Sequence, residues 1–357
     1  MNDTPPNPVQ SPWWDRDRLA SRLPKLKARN AIAGALRGWF AEEGFVEVET
    51  PALQISPGLE PHLAAFETKL FEPFEETGRQ LYLHTSPEYA MKKLLAGGMQ
   101  KIFQLARCFR NGERSATHHP EFTMLEWYRA QADWRHGAAD TEALIRAGAA
   151  AHGVSDVTRD GVACDLSRPF RYLSVAEAFS DLAGADVLAT LEDPDRPCRA
   201  ALAEMAARAG VRVAADDGWD VIFDRILLEK IEPHLGAGEG TVLYDYPVPL
   251  AALAKKSVSD LRLADRFEVY VCGMELANGF GELTDAVEQR RRFESDRARK
   301  QSMGDQPYPM DEDFLAALEA GLPNSTGVAM GFDRLVMLLT GADLIEDVLW
   351  APVVTAR

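Results

Sequence analysis

The segment from Gln104 to Tyr128, QLARCFRNGERSATHHPEFTMLEWY, contains the pattern around which the rest of the chain can be interpreted. Its apolar parts predict two strands, from Ile102 to Cys108 and from Glu121 to Tyr128, which a hairpin joins. A guanidinium at a strand end pairs well with phosphate, and the ring of Phe122 can stack on adenine, so the segment favours a nucleotide site. A plain hairpin with a solvated tip is the alternative that this segment leaves open. The polar loop residues are Arg110, Asn111, Gly112, Glu113, Arg114, His118 and His119.

The composition is that of an acidic globular protein. The 357 residues include 39 Lys and Arg against 55 Asp and Glu, for a formal charge of −16, so the surface as a whole is a poor match for nucleic acid. The four cysteines lack the spacing of a zinc site. No apolar run approaches the roughly 18 residues of a membrane span, and no secretory leader is evident, so we expect a cytoplasmic protein without membrane contact.

Patterns outside the hairpin divide the chain into a tail, a catalytic domain and an insertion. Residues 1–23 are rich in proline and predict a mobile tail. Residues 24–357 predict one domain, which opens with a helix from Lys25 to Glu43 and a strand that ends before Pro51. Residues of about 130–260 show helical patterns without a catalytic constellation, and we expect a helical insertion there.

Three further segments carry candidate ligand-binding residues. Thr85-Ser86-Pro87-Glu88 opens a predicted helix, and an ordinary helix start is its alternative interpretation. The segment GMELANGFGEL, from Gly273 to Leu283, carries two carboxylates, Glu275 and Glu282, that can converge on one Mg²⁺ ion. The segment GVAMGFDR, from Gly327 to Arg334, combines glycines that let the backbone approach a ligand with an arginine that can reach phosphate.

These motifs together resemble those of a known enzyme family. Phe109-Arg110-Asn111, followed by HHPEFTMLE from His118 to Glu126, resembles motif 2 of class II aminoacyl-tRNA synthetases, above all of the lysine enzymes. The unit that ends at Pro51 is similar to motif 1, which forms the dimer interface in that family, and Gly327–Arg334 is similar to motif 3. More narrowly, the chain from about residue 24 onward resembles the short paralogues that attach β-lysine to a lysine of elongation factor P.

The resemblance implies an α+β fold, with an antiparallel sheet of six or seven strands flanked by helices, and a homodimer. It also implies that no anticodon-binding barrel precedes the catalytic core, so tRNA is an unlikely partner. Two positions depart from the lysine enzymes: Gly112 stands where they have a glutamate, and Ala329 stands where they have a glycine. The paralogues share the alanine, whereas the departure at Gly112 leaves the role of Glu113 open.

The resemblance also implies the roles of individual residues. Arg110 and Arg334 would bracket the triphosphate of ATP, with Mg²⁺ on Glu275 and Glu282, and these four residues would be catalytic. The residues implied to contact ATP are Arg110, Asn111, Gly112, His118, His119, Phe122, Glu275, Leu276, Gly331 and Arg334. The residues implied to line the amino-acid pocket are Thr85, Ser86, Pro87, Glu88, Glu126, Tyr128, Asn278, Glu282 and Ala329.

Three functions compete on this basis. The first is an ATP-dependent ligase that activates (R)-β-lysine or lysine as an adenylate and transfers it to a lysine ε-amino group of elongation factor P. In this case Arg114, Lys92 and Lys93 are expected to contact the acceptor protein. The second is a truncated lysyl-tRNA synthetase that charges tRNA, or an ammonia-using asparagine synthetase. The third is an inactive paralogue that serves as a regulatory binding subunit, and the retention of Arg110, Glu275, Glu282 and Arg334 argues against it.

Overall fold

The computed structural model describes residues 12–353, in which helices cover a large sheet. The helices are α1 (Arg16–Glu42), α2 (Glu88–Ala96), α3 (Trp134–His152), α4 (Val175–Ala183), α5 (Arg199–Arg208), α6 (Trp219–Ile226), α7 (Ala286–Ser302), α8 (Glu312–Gly321) and α9 (Phe332–Thr340). The strands are β1 (Val46–Glu47), β2 (Leu53–Gln54), β3 (Glu67–Leu70), β4 (Arg79–Leu83), β5 (Lys101–Phe109), β6 (Glu121–Ala130), β7 (Asp156–Arg159), β8 (Val162–Asp165), β9 (Arg171–Ser174), β10 (Thr241–Pro247), β11 (Leu263–Val271), β12 (Met274–Gly281) and β13 (Ser325–Gly331). No helix in this range is long and apolar enough to span a membrane.

The main sheet has eight strands in the order β1-β5-β6-β13-β12-β11-β10-β9. The inner strands, from β5 through to β10, are antiparallel, as expected. The two edge strands are parallel to their neighbours, with Val46 opposite Ile102 and Leu173 opposite Leu243. The α+β prediction is confirmed, but the strand count was too low. Strands of two and four residues carry little periodicity, and their parallel partners lie far away in sequence.

The main core lies between the sheet and helices α1, α3 and α9. Helix α1 turns Ile32, Leu36 and Phe40 toward the sheet at helical spacing, and all three are buried. The ring of Phe40 stacks on Phe103 of β5 with the centroids 4.1 Å apart and meets Trp127 of β6 edge to face at 5.8 Å. This packing holds β5 and β6 against α1, so the loop that joins the two strands is attached to a rigid part of the fold.

The mobile tail was predicted for residues 1–23, but α1 begins at Arg16, so residues 16–23 belong to a helix. The side chain of Asp15 caps this helix and accepts hydrogen bonds from the backbone N–H groups of Asp17 and Arg18. Arg22 is buried and donates to the carbonyl oxygen of Leu349 near the other end of the chain. The helix continues through Pro24. The prolines on which the prediction of a mobile tail was based lie before it, within residues 1–23. Residues 1–11 of the expected tail lie outside the described residues.

The predicted insertion at 130–260 is also shorter than expected. Helix α3 packs in the main core, and β9 and β10 complete the main sheet. The helical part between those strands, residues 175–234, packs in a second apolar cluster that also includes Leu243 and Tyr270 of the main sheet. In this cluster Phe179 stacks on Phe223 with the centroids 4.6 Å apart. Glycine- and alanine-rich sequence in α3 concealed its membership of the core, because small residues show weak periodicity.

Candidate active site

The predicted hairpin is present, with β5 paired to β6 from Lys101 opposite Arg129 to Phe109 opposite Glu121. Arg110 follows β5 directly, and its backbone N–H donates to the carbonyl oxygen of Pro120 at 3.0 Å. The Arg110 guanidinium lies over the ring of Phe122, 5.2 Å from its centroid. Gly112 has a φ of +81°, a left-handed conformation that glycine adopts without strain. The loop therefore presents a cation and an aromatic ring together, as the sequence predicted.

A cavity of about 270 Å³ opens between this loop, β12 and the start of α9. We call it the arginine cavity, because Arg110 and Arg334 both line it. Of the residues predicted to contact ATP, eight line it: Arg110, His118, His119, Phe122, Glu275, Leu276, Gly331 and Arg334. In the described structure the predicted contacts Asn111 and Gly112 are not among its lining residues, whereas Glu113 is. Two residues predicted for the amino-acid pocket, Asn278 and Ala329, line it as well.

Arg334 joins the three segments that form the arginine cavity. Its Nη2 lies 2.6 Å from Nε2 of His118 in the hairpin loop. Its Nη1 donates to the carbonyl oxygen of Glu275 in β12 at 3.1 Å and lies 3.7 Å from the carboxylate of that residue. Burial and the Arg334 charge lower the pKa of His118, so the imidazole is held neutral beside the guanidinium. The arginine is thus fixed at the start of α9 with its positive charge facing the cavity.

A β-bulge in β12 explains how Glu275 and Asn278 reach the same cavity despite their odd spacing. Val269 of β11 lies opposite Ala277, and Tyr270 lies opposite Glu275, so Leu276 is an extra residue in β12. Side chains alternate along a strand, and one extra residue turns the following side chains to the other face. Beyond the glycines of the segment, no pattern in the sequence indicates this bulge.

A row of side chains crosses four strands behind the arginine cavity. Glu126 of β6 pairs with Ala329 of β13, which pairs with Asn278 of β12, which pairs with Glu268 of β11. Glu268 accepts hydrogen bonds from the hydroxyls of Tyr246, at 2.5 Å, and Tyr270, at 2.6 Å. Ala329 therefore lies between the arginine cavity and the carboxylate of Glu126, which places it where a methyl group can affect both.

The carboxylate of Glu126 belongs to a second group of residues, which we call the acidic pocket: Ser86, Glu88, Lys92, Glu126, Tyr128 and Glu282. Ser86 donates to Oε2 of Glu126 at 2.7 Å, and the hydroxyl of Tyr128 donates to Oε1 at 2.6 Å. Burial and the Glu88 charge raise the pKa of Glu126 to about 8. A small cleft of about 10 Å³ borders this pocket and is lined by the predicted residues Thr85, Ser86, Pro87 and Glu88.

Lys92 is the residue of the acidic pocket that sequence reasoning misplaced. It was expected on the surface as a contact for the acceptor protein, but its side chain is 1% exposed. Its ammonium group pairs with the carboxylate of Glu88 one turn earlier in α2 and with Glu282 at 2.6 Å. Burial lowers the pKa of Lys92, but Glu282 and Glu88 outweigh that effect and raise it. The spacing of four between Glu88 and Lys92 was the one available signal.

Two other residues expected to contact the acceptor protein already have partners within the chain. Lys93 pairs with Asp311 and Asp313, both at 2.9 Å. Arg114 pairs with Glu346 at 3.0 Å and donates to the carbonyl oxygen of Val353 at 3.0 Å. These contacts tie the surface around the site to α8 and to the C-terminal segment.

Glu282 lies in the acidic pocket, and in the described structure it is not among the residues that line the arginine cavity. Its side chain is 1% exposed, and burial raises its pKa to about 7 against the opposing charge of Lys92. Gly327 makes room for it: a Cβ atom there would lie 2.2 Å from Oε1 of Glu282 and 2.2 Å from Cε1 of Tyr128. Glu275, by contrast, is 39% exposed toward the arginine cavity. The expected Mg²⁺ site on both glutamates stays a prediction.

A buried ion pair that the sequence did not reveal holds the two arginine-bearing motifs together. Arg29 of α1 pairs with Asp333, the residue before Arg334, and donates to Oγ1 of Thr123 in β6 at 2.9 Å. Asp333 also accepts from the backbone N–H of Thr123 at 2.6 Å. Because one partner comes from each of three distant segments, only the folded chain shows that they form one unit.

Comparison with known proteins assigns the family. Residues 11–355 match the family described as tRNA synthetases class II (D, K and N). The antiparallel sheet, with its arginines on the β5–β6 loop and at the start of α9, has the arrangement expected for that class. The chain therefore belongs to the class II tRNA synthetase family.

Within that family, the chain is similar to proteins named elongation factor P–(R)-beta-lysine ligase. It is 40% identical to the one from Proteus mirabilis (strain HI4320), over 96% of this chain and 98% of the relative. It is 41% identical to the one from Haemophilus ducreyi, over 91% and 92% respectively. It is 42% identical to the one from Klebsiella pneumoniae subsp. pneumoniae, over 92% and 94%. The similarity thus extends over nearly the whole of each chain.

Proposed function

We propose that this chain is an ATP-dependent ligase that activates (R)-β-lysine as an adenylate and transfers it to a lysine ε-amino group of elongation factor P. The observation that carries the proposal is the position of Arg110 and Arg334 around one cavity, directly beside a pocket of buried carboxylates. The first arrangement suits a triphosphate and the second suits an amino acid with two ammonium groups. The names of the relatives supply the same substrate and acceptor.

In the first step, a carboxylate oxygen of the amino acid attacks the α-phosphorus of ATP. A carbon-bound oxygen gains a bond to phosphorus while the bond from the α-phosphorus to the bridging oxygen breaks, and pyrophosphate leaves. Arg110 balances the charge that develops on the α-phosphate, and Arg334 binds the far end of the triphosphate. Catalysis of this kind depends on positioning and on fixed charge rather than on a covalent nucleophile.

Divalent cations neutralise phosphate charge in such reactions, and Mg²⁺ is the cation we propose here. Glu275 would hold it, because its partly exposed carboxylate faces the cavity beside Arg334. Glu282 is a ligand in this proposal only if its carboxylate exchanges Lys92 for the cation, since the two groups lie 2.6 Å apart. The cofactor set is therefore ATP with Mg²⁺.

The acidic pocket selects the amino acid. Glu88 and Glu282 are charged partners for ammonium groups, while Tyr128 orients Glu126 through the hydrogen bond at 2.6 Å. A buried carboxylate that binds a cation penalises a neutral ligand, because its charge is then left without a partner. We therefore expect basic amino acids to be activated in preference to neutral or acidic ones.

In the second step, the ε-amino group of the acceptor lysine attacks the acyl carbon, and AMP leaves with the electron pair of the broken carbon–oxygen bond. The amine loses its proton to solvent. An acidic enzyme can bind a protein partner through local complementary charges. The free thiols of all four cysteines, which lie in the described part of the chain, agree with a reducing cytoplasm as the location.

The decisive experiment offers the purified protein ATP, Mg²⁺ and radiolabelled (R)-β-lysine together with elongation factor P and tRNA. We expect label on elongation factor P and pyrophosphate exchange that depends on the amino acid. Elongation factor P in which the acceptor lysine is changed to arginine is the matched control. Label on tRNA would favour a truncated synthetase, and absence of exchange with every amino acid would favour a regulatory binding subunit.

We also propose a homodimer, because the helix α1 and strand β1 unit resembles the interface element of the family. Strand β1 lies at one edge of the sheet, and Val46 is exposed there. Multi-angle light scattering at micromolar concentration tests this. A particle of about twice the 39.4 kDa chain mass supports the dimer, and a particle of the chain mass contradicts it.

A further inference from the structure

Glu60 carries a buried carboxylate oxygen whose hydrogen-bonding capacity is unused. The residue lies on the loop between β2 and β3, and its Oε2 is inaccessible to solvent. Among residues 12–353, none donates a hydrogen bond to that oxygen. A buried polar atom without a partner costs free energy, more so when it is ionised, so an unpaired carboxylate oxygen points to a ligand.

Glu60 belongs to the cleft that borders the acidic pocket. Glu60 lines the cleft together with Ser86 and Glu88. A Cβ atom on Gly58 would lie 2.7 Å from Oε2 of Glu60 and 2.9 Å from Oγ1 of Thr85, so the carboxylate lies against the glycine backbone beside the threonine. Burial and the Glu88 charge raise the pKa of Glu60, while the Arg110 charge lowers it. The carboxylate is therefore close to both the acidic pocket and the end of the arginine cavity.

The loop that carries Glu60 is held in place by helix α7 and by Tyr308. Lys300 of α7 is buried, and its ammonium group donates to the carbonyl oxygens of Pro61 at 3.0 Å and Leu63 at 2.9 Å. The backbone N–H of Ala65 donates to the hydroxyl of Tyr308 at 2.8 Å. Because these contacts fix the backbone, the Glu60 carboxylate keeps its position without an ion pair of its own and is prearranged for a cation.

The charges around the cleft favour a dication. Glu60, Glu88 and Glu282 are three carboxylates, and Lys92 supplies one ammonium group among them. With Glu126 protonated, since its pKa is raised to about 8, and these four groups ionised, two negative charges remain to be balanced. A lysine-type substrate carries two ammonium groups, one at the end of the side chain and one near the carboxyl group, and balances them.

We propose that Glu60 binds the ammonium group nearest the reacting carboxyl group, which lies on C2 in lysine and on C3 in β-lysine. Glu60 lies on the loop that contacts the Arg110 loop, where the backbone N–H of Asn111 donates to the carbonyl oxygen of Ala64 at 2.7 Å, and Arg110 lines the cavity where the carboxyl group reacts, which places Glu60 at the reacting end of the substrate. Glu60 is thereby a specificity-determining residue for the position of that amine. This inference rests on the function proposed above.

The test compares Glu60→Gln with wild-type protein on two substrates that differ only in this amine. (R)-β-Lysine carries it, whereas 6-aminohexanoate keeps the carboxyl group and the terminal amine but lacks it. We expect Glu60→Gln to raise KM for (R)-β-lysine in pyrophosphate exchange by roughly 10- to 100-fold, the usual contribution of a hydrogen bond to a charged group. KM for 6-aminohexanoate should change less than about twofold. Glu76→Gln, the same change at an exposed site before β4, is the matched control.

Other outcomes separate this inference from the proposed function. Equal changes in KM for both substrates, or no change for either, would overturn the assignment of Glu60 while leaving the ligase function intact. Calorimetric binding of both compounds without ATP gives a second measurement that does not depend on catalysis, and the same twofold criterion applies. Glu60→Asp, which keeps the charge but shortens its reach, should give an intermediate KM. A thermal melt should show Glu60→Gln at least as stable as wild type, because the change removes an unpaired buried charge.

Discussion

The arginine cavity and the acidic pocket share strand β6, but they differ in how far their charged groups are buried and in how those charges are balanced. The cavity measures about 270 Å³, and Arg110 and Glu275 remain partly exposed in it. The acidic pocket borders a cleft of about 10 Å³, and its Glu126, Glu282 and Lys92 are almost completely buried. One region is open and combines two arginines with the carboxylates of Glu113 and Glu275, and the other is nearly closed and contains its own counter-ion.

The difference reflects what each region must do before its ligand arrives. The partly exposed Arg110 remains hydrated, and Arg334 is held by His118 and the carbonyl oxygen of Glu275, so neither depends on a buried counter-ion. Buried carboxylates lose their hydration, so an internal ammonium group or a raised pKa must compensate for it. Lys92 provides the first solution for Glu88 and Glu282, and the raised pKa of Glu126 is the second. We therefore expect mutations in the acidic pocket to affect stability and mutations in the arginine cavity to affect activity alone.

The largest effect is expected for Lys92→Met, which leaves the carboxylates of Glu88 and Glu282 without their shared partner. Breaking a buried ion pair on one side typically destabilises a protein by about 3–5 kcal/mol. Urea unfolding measures the loss. Lys93→Met is the adjacent control, because Lys93 is partly exposed, Asp313 is largely exposed, and the buried Asp311 still accepts a hydrogen bond from the backbone N–H of Phe314. We expect it to cost clearly less than Lys92→Met. Equal stability of the two variants would contradict the distinction between the two regions.

Arg110→Ala should have the next largest effect, on rate rather than on stability. Removing one fixed charge from a transition state typically lowers the rate about 100-fold or more, and pyrophosphate exchange measures this. The unfolding free energy should stay within about 0.5 kcal/mol of wild type, since Arg110 is partly exposed. Arg114→Ala, which removes a loop arginine paired with Glu346, is the control and should retain near-normal exchange. Near-normal exchange by Arg110→Ala would refute its role at the α-phosphate.

A smaller effect, on the pH dependence of stability, is expected for Glu126→Gln. The pKa of Glu126 is raised to about 8 in the folded protein, above its ordinary value of 4.5. The protonated form is therefore favoured by folding, and its contribution to stability is lost as the pH rises from about 4.5 through about 8. Glutamine cannot ionise, so the variant should gain stability relative to wild type across that range, by up to about 1.4 kcal/mol per pH unit.

Thermal and urea unfolding from pH 5 to pH 9 measures the difference between the two proteins. Subtracting the curves removes the contributions of other groups with raised pKa values, such as Glu232 and Asp224. A difference that does not change with pH would show that Glu126 is ionised in the folded protein throughout, held so by Tyr128 and Ser86.

The smallest effect is expected for Ala329→Gly, at the boundary between the two regions. Ala329 lines the arginine cavity and lies opposite Glu126 on the neighbouring strand. Removing its methyl group gives the substrate backbone more room, and such a change is worth roughly 1–3 kcal/mol in a packed pocket. The ratio of kcat/KM for (R)-β-lysine to that for lysine should fall about tenfold. A variant that keeps the parent's preference would exclude Ala329 as the discriminating residue.

The hairpin and most of the arginine cavity could be predicted from the residues of the sequence, and the fold class from the resemblance of its motifs to those of a known family. Each of these depends on residues close together in the chain: alternation predicts β5 and β6, and Arg110 follows β5 directly. Arg334 at the start of α9 needs only its local motif for interpretation. Motifs rich in glycine and arginine can be interpreted from the local sequence. Glycine adopts left-handed backbone conformations without strain, and arginine stays charged in the folded protein.

The edge strands, the extent of the insertion and the electrostatics of the acidic pocket could not be predicted from the sequence and became visible in the folded structure. Lys92 is one of many lysines in the sequence, and its burial between Glu88 and Glu282 depends on the packing of α2 against β6 and α8. The bulge at Leu276 brings side chains to one face of the sheet that strict alternation would place on opposite faces. The ion pair between Arg29 and Asp333 joins residues that are distant in sequence. Burial sets how strongly two charges interact and how far a pKa shifts, and burial depends on the whole fold.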